Sequence, residues 1–318
     1  MSFSTPYDIP GHFKRQFSDT WDMVLQQRNQ KFATAGLTES GWTAREYIWQ
    51  DLETVASREV TGQRLGDTNP QELSGSARRG NMRSWDIPVI RDKWDNKWLE
   101  RQALPDSDVI ATMKAAANRA LDDAFIDACD ATVYGGQDPY NTAIAFPNSS
   151  KIGVQFVQPG ATAANVGLTP WKLLEATRLL ESAEVDPTTE ELFLAITPRQ
   201  KFDMAYYAST AQNDVWGEVI GNWLKQDALG VPAKLMGYNV IMTNRLKYIG
   251  AVNDDIRACY AFARSGFKSS PLTQELTIDR LPEKRNAIQF YSCMHFGVLR
   301  TYDEKVIQIA CDQSPPVA

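Results

Sequence analysis

The chain has 318 residues, is 43% hydrophobic with nine Trp, and carries a formal net charge of -6, so it folds as one large domain or two ordinary ones. That acidic balance excludes a protein whose whole surface clamps nucleic acid, because phosphate affinity comes from clustered Lys and Arg. Four scattered cysteines without a CxxC pair exclude zinc ribbons and a disulfide framework, and the two histidines make no zinc site unless His12 and His295 converge. No apolar run reads as a secretory signal or a membrane span, and the chain reads as cytosolic with reduced thiols.

In chain order, "RQFSDTWDMVLQQRNQKF" (15–32) predicts a short amphipathic helix, with Phe17, Trp21, Val24, Leu25 and Phe32 at helical spacing. It docks either on its own core or on a partner. The segment 42–101 is strand-like at both ends, "REYIWQDLETVASREV" and "MRSWDIPVIRDKW", while 61–80 is rich in Gly, Asn, Pro and Ser and reads as a loop. The expectation is a two-stranded arm with a mobile tip. Such a hairpin is at best marginally stable in water alone, which makes a partner chain its natural support. Arg78, Arg79 and Arg83 stand near that tip with no acid between Ser74 and Ser84. They read either as a solvated basic tip or as donors to carboxylates of a neighbouring subunit, which a planar guanidinium can grip bidentately.

At "LPDSDVIATMK" a long helix begins, with Pro105 at its entry and Asp106 or Ser107 as cap. Its apolar stripe runs through Val109, Ile110, Met113, Ala117, Ala120, Leu121, Ala124, Phe125 and Ala128, and over 106–134 it would be about 40 Å long. Asp122, Asp123 and Asp127 are spaced like the metal motifs of diphosphate-using enzymes. However, Asp123, Asp127 and Asp130 stack opposite the stripe, with Arg119 placed four residues before Asp123 as a partner. A metal-diphosphate site needs a cavity and a second ligand cluster, and the sequence offers none. These aspartates read as a solvated or subunit-facing helix face, with no metal and no cofactor.

Beyond a Gly/Pro/Asn/Ser linker lies an α+β lobe reaching about residue 268. "LTPWKLLEATRLLESAEV" predicts a helix capped by Thr169, "EELFLAIT" a buried strand, "PRQKFDMAYY" a short helix and "AKLMGYNVIMTN" strands. "GEVIGNWLKQDALGVPAK" reads as a loop without a phosphate-loop pattern, and GxGxxG, GxSxG and HExxH are absent from the chain. Near the C-terminus, alternation at Ile288, Phe290, Met294, Phe296 and Val298 predicts a strand over 286–301, about 50 Å if unbroken. "VIQIA" follows as another strand. A long helix, a long strand and a long arm suggest a flat, elongated molecule.

Three segments in this order, "ARRGNMRSWDIPVIRDKWDNKW", "LPDSDVIATMKAAANRALDDAFIDACDATVYGG" and "FGVLRTYDEKVIQIACD", resemble the major capsid proteins of tailed bacteriophages, the Hong Kong 97-type shell fold. The resemblance covers about 17–311. It implies an α+β chain with an N-terminal arm (1–41), an extended loop (42–101), a peripheral domain with its spine helix (102–162), an axial domain (163–268) and the peripheral sheet (269–318). It also implies a virion protein without catalytic chemistry, assembled in the host cytoplasm into hexamers and pentamers of an icosahedral head around double-stranded DNA, which it contacts non-specifically. Scaffolding and portal proteins, and a decoration protein, are the partners the resemblance suggests; no membrane is involved. The candidate assembly contacts are Arg78, Arg79, Arg83, Phe17 and Trp21.

In two respects the sequence departs from the family. No lysine lies between Lys31 and Lys93, so the lysine cross-link of the type member is not expected. Few residues precede the arm helix, which implies a separate scaffolding protein. The alternatives are an encapsulin-like cellular compartment and, from another class, a metal-dependent enzyme using Asp122, Asp123 and Asp127.

Overall fold

The run LFLAI has no polar face, and it forms a strand covered on both sides: β8 (Leu192–Ile196), with all five residues buried. It belongs to a computed structural model that describes residues 26–52, 55, 57, 71–91, 106–158, 160, 162, 164–210, 215–230, 234–249 and 255–314. The described chain divides into two compact units.

The larger unit comprises Gln30–Ser84, Ala120–Thr273 and His295–Ala318. Its main sheet has six strands in the order β7 (Lys151–Ile152), β16 (Val306–Asp312), β11 (Ile256–Ala263), β8, β10 (Tyr238–Met242) and β9 (Lys234–Leu235). β10 runs parallel to β8, with Tyr238 opposite Leu192, while β11 is antiparallel to both β8 and β16. The β8–β10 crossover carries helices α3 (Pro198–Thr210) and α4 (Val215–Ala228), as a parallel pair requires. Helix α2 (Pro170–Ser182) begins as its sequence predicts, with Pro170 at the first position and the Thr169 hydroxyl accepting from the Lys172 N–H at 3.4 Å.

Lys172 itself is fully buried. Its ammonium donates to the carbonyls of Val154 (3.1 Å), Val166 (2.8 Å) and Ala310 (2.8 Å), tying α2 to β16 and to the preceding segment. Burial pushes its pKa down, and the three carbonyls supply the acceptors its three N–H groups need.

Two smaller sheets complete this unit: β2 (Glu46–Leu52), β3 (Gly75–Asn81), β5 (Val133–Gly135) and β6 (Thr142–Ile144), and β1 (Leu37–Thr38), β12 (Phe267–Ser269) and β15 (Val298–Arg300).

The smaller unit comprises Met1–Asn29, Trp85–Arg119 and Gln274–Met294. It holds most of a three-stranded sheet ordered β13 (Thr273–Leu281), β14 (Ala287–Phe296), β4 (Arg83–Arg91). The β13–β14 hairpin closes through Arg285 and Asn286, both left-handed at φ 54 and 57. β13 is exposed through its first eight residues, whereas Phe290, Ser292 and Met294 of β14 are buried in alternation. The chain passes between the units at Asn29/Gln30, within β4, at Arg119/Ala120 of the long helix α1 (Asp106–Asp130), whose 25 residues rise about 37 Å, within β13 and within β14.

Several expectations are corrected. The arm's first strand pairs with β3, Glu46 opposite Asn81, and not with the second strand read from the sequence, whose residues 83–91 form β4 beside β14; residues 75–80, read as loop, are therefore strand. Residues 26–32 are not helical, so the predicted helix over 15–32 does not reach Phe32, and the rest of it lies outside the described residues. The predicted loop from Gly217 is mostly helix α4. The predicted 286–301 strand breaks at Gly297, whose N–H donates to Ser270 Oγ and whose carbonyl accepts from the Ser270 N–H, both at 2.8 Å. β15 thereby leaves for a different sheet.

Candidate assembly site

The C-terminal half of α1 carries the aspartates, and helical spacing sends them in different directions. Asp122 is fully buried. Its carboxylate accepts from the backbone N–H groups of Lys31 (3.0 and 3.1 Å) and Phe32 (3.2 Å), fastening the incoming segment where Phe32 stacks on Phe125 at 5.0 Å.

Asp123 accepts from Arg245, with Nε at 2.6 Å. Asp127 is within 3.3 Å of Arg83 Nη1 and 3.1 Å of Lys247 Nζ. Asp130 takes Lys247 Nζ at 2.8 Å and the Tyr260 hydroxyl at 3.0 Å. That face, read as solvated or subunit-facing, stays partly exposed, and basic side chains of the same chain engage its carboxylates. Burial would lower the Lys247 pKa, but its hydrogen bonds to Asp130 and Asp127 raise it overall. Arg119, the expected partner of Asp123, donates instead to Gln26 Oε1 and the Gln27 carbonyl. Among the described residues no three His, Cys, Asp or Glu side chains group as a metal site requires.

The arginines of the arm sit in and beside β3. Arg78 grips Asp303 bidentately, Nη1 to Oδ1 and Nη2 to Oδ2 at 2.9 Å each, and Arg300 Nε adds a third bond to Oδ1 at 2.7 Å. Burial alone would raise the Asp303 pKa; the two guanidiniums hold it below the usual carboxylate range. The bidentate grip read from the sequence exists for Arg78, on a carboxylate of its own chain. Arg79 lies over the Tyr134 ring at 5.7 Å, and Arg83 reaches Asp127. Phe17 and Trp21 lie outside the described residues.

Two exposed apolar pairs escaped the sequence reading. Phe202 and Tyr206 are one turn apart on α3, Val215 and Val219 one turn apart on α4, and all four are exposed apolar side chains on two helices that pack together. With α4 taken for a loop, its pair had no periodicity to find.

The sequence profile described as phage capsid protein matches residues 9–313. The chain belongs to the phage capsid protein family. The capsid protein's fold is also that of solved capsids. It resembles the capsid of Ralstonia phage GP4 at TM-score 0.65 and 12% identity, covering 100% of each chain. It resembles the capsid of cyanophage P-SCSP1u at 0.62 and 13%, covering 93% and 91%, and that of cyanophage Pam1 at 0.62 and 13%, covering 98% and 100%. A comparison with curated proteins returns no match. The Hong Kong 97-type fold expected from the three segments is the one these likenesses carry, and the chain is a major capsid protein, a structural component of an icosahedral phage head.

Proposed function

We propose that the capsid protein self-assembles, with a separate scaffolding protein and a portal, into hexamers and pentamers of a head that encloses double-stranded DNA, and that it has no catalytic chemistry of its own. The observation that carries this reading is the family match over nearly the whole chain, 9–313, on a fold whose structural likenesses are capsids end to end. The acidic balance supports the DNA part: a shell of chains whose net charge is -6 each confines packaged DNA without gripping it.

In this reading 163–268 is the axial domain and presents the Phe202, Tyr206, Val215 and Val219 surface to a neighbouring subunit. Arg79, Arg83, Phe17 and Trp21 contribute further contacts, while Arg78 supports the same region from inside the chain. Asp122, Asp123 and Asp127 are engaged by donors of their own chain, which weighs against an aspartate-dependent enzyme. Assembly belongs to the host cytoplasm.

The test is negative-stain microscopy and sedimentation of the protein expressed with its scaffold. Closed shells or capsomers are expected. A monodisperse monomer at high concentration across several salt conditions would sink the reading.

A further inference from the structure

The turn between β13 and β14, in the smaller unit, is exposed and densely charged. β13 is the edge strand of its sheet, and its residues from Thr273 to Arg280 are all open to solvent. Between Thr273 and Asn286 stand Glu275, Asp279 and Glu283 against Arg280, Lys284 and Arg285, three charges of each sign, every one exposed. None of the six makes a hydrogen bond, an ion pair or a ring contact with any described residue.

Strand geometry explains why opposite charges so close in sequence stay apart. Alternation along β13 puts Glu275 and Asp279 on one face and Arg280 on the other, while Lys284 and Arg285 lie past the end of the strand, in the turn that closes the hairpin. Arg285 also holds a left-handed backbone, φ 54, which suits Gly or Asn better than an arginine. A long cationic side chain kept at such a position points to a use for that side chain.

The charge balance selects the partner. Three positive groups less three negative ones sum to zero, so a nucleic acid gains no net attraction here. A surface carrying both signs, neither of them neutralised, is instead complementary to a copy of itself. Leu276 and Ile278, 44% and 52% exposed on the Arg280 face of the strand, add apolar area beside the charges.

We propose that this hairpin is an interface between copies of the chain, with Lys284 and Arg285 at the tip of one hairpin meeting Glu275 and Asp279 on β13 of a neighbour. The inference rests on the shell reading and adds to it a contact outside helices α3 and α4.

Carbodiimide coupling of wild-type shells tests it, because the reagent joins an amine to a carboxylate at zero length and Lys284 supplies the amine. Shells assembled from equal amounts of nitrogen-15-labelled and unlabelled chains are coupled, digested and read by mass spectrometry. The expected product is a labelled–unlabelled peptide pair joining Lys284 to Glu275 or Asp279. Lys284 that couples only within its own chain, to some other carboxylate, or not at all overturns the assignment. Charge reversal gives a second measurement. Lys284→Glu with Arg285→Glu should lower shell yield about tenfold, as should Glu275→Lys with Asp279→Lys, and a chain carrying all four changes should recover most of the yield. Normal shells from either reversed pair, or no recovery in the chain with four changes although circular dichroism shows it folded, would also overturn the inference. Should a reversed chain fail to fold, the coupling of wild-type shells decides alone. Wild-type chains that never form shells would bring down both readings, whereas intact shells without the Lys284 pair remove this one only.

Discussion

Asp122 holds two backbone N–H groups in a fully buried setting, whereas Asp123, partly exposed, pairs with the similarly exposed Arg245. Removing the first carboxylate strands buried donors; removing the second loosens an ion pair that water already screens. Asp122→Ala should therefore cost about 2–3 kcal/mol in denaturant unfolding and Asp123→Ala less than about 1. Equal costs would mean that Asp122 is not the anchor of residues 31 and 32.

A second residue-scale effect concerns Asp203, whose Oδ2 is buried without a partner among the described residues while Oδ1 lies 3.3 Å from Arg199. Burial pushes its pKa up to about 6, with Arg199 opposing. Between about 4 and 6 the folded state then holds a proton that the unfolded state releases. Stability from this group falls as pH rises through that window, and above it the buried charge costs up to about 3 kcal/mol. Asp203→Asn should raise the melting temperature at pH 7.5 and leave it nearly unchanged at pH 4; the reverse order would refute the assignment.

At the scale of elements, Trp42 is buried between Gly80 of β3 and Gly297 at the break between β14 and β15. A Cβ at Gly80 would stand 2.6 Å from Trp42 Cη2, and one at Gly297 2.6 Å from Cζ2. The indole is held by the absence of side chains, so Gly80→Ala and Gly297→Ala should each destabilise by about 1–3 kcal/mol. In a Trp42→Leu background the added cost of Gly80→Ala should shrink, because the two groups share one space. Full additivity in calorimetry would place the strain elsewhere.

The same contact explains what was legible. Helix α2 announced itself through Thr169, Pro170 and an apolar stripe, and β8 through an unbroken apolar run; both signals are local. β3 has none, since GSARRGN lacks β-branched and aromatic residues, and it becomes a strand by pairing with β2 and lying against Trp42. α4 was hidden by Gly217 and Gly221, each about 1 kcal/mol worse than Ala in a helix. Burial of Gly217 with Ile220 and Trp223 outweighs that propensity.

For the whole molecule, the order of three weak segments identified the shell fold, because order survives when individual motifs do not. The site was less readable. The partner of Arg78 is 225 residues away, and no local pattern encodes such a pairing.

The α3–α4 surface is where the proposed assembly can be challenged most directly. Phe202 is 54% exposed and Val219 37%, and neither belongs to the buried core cluster. Exposed apolar side chains one turn apart on each of two packed helices are what an interface needs. Lysines there would meet apolar surface in every copy of the shell at once, so a small cost per contact multiplies. The Phe202→Lys, Val219→Lys double variant should keep the wild-type circular dichroism and melting temperature within a few degrees, while the shell yield in sedimentation falls at least tenfold, a change of about 1.4 kcal/mol or more per assembly step. Normal shells from the folded double variant would take these helices out of the interface. A subunit that unfolds would mean instead that the two side chains are part of its core.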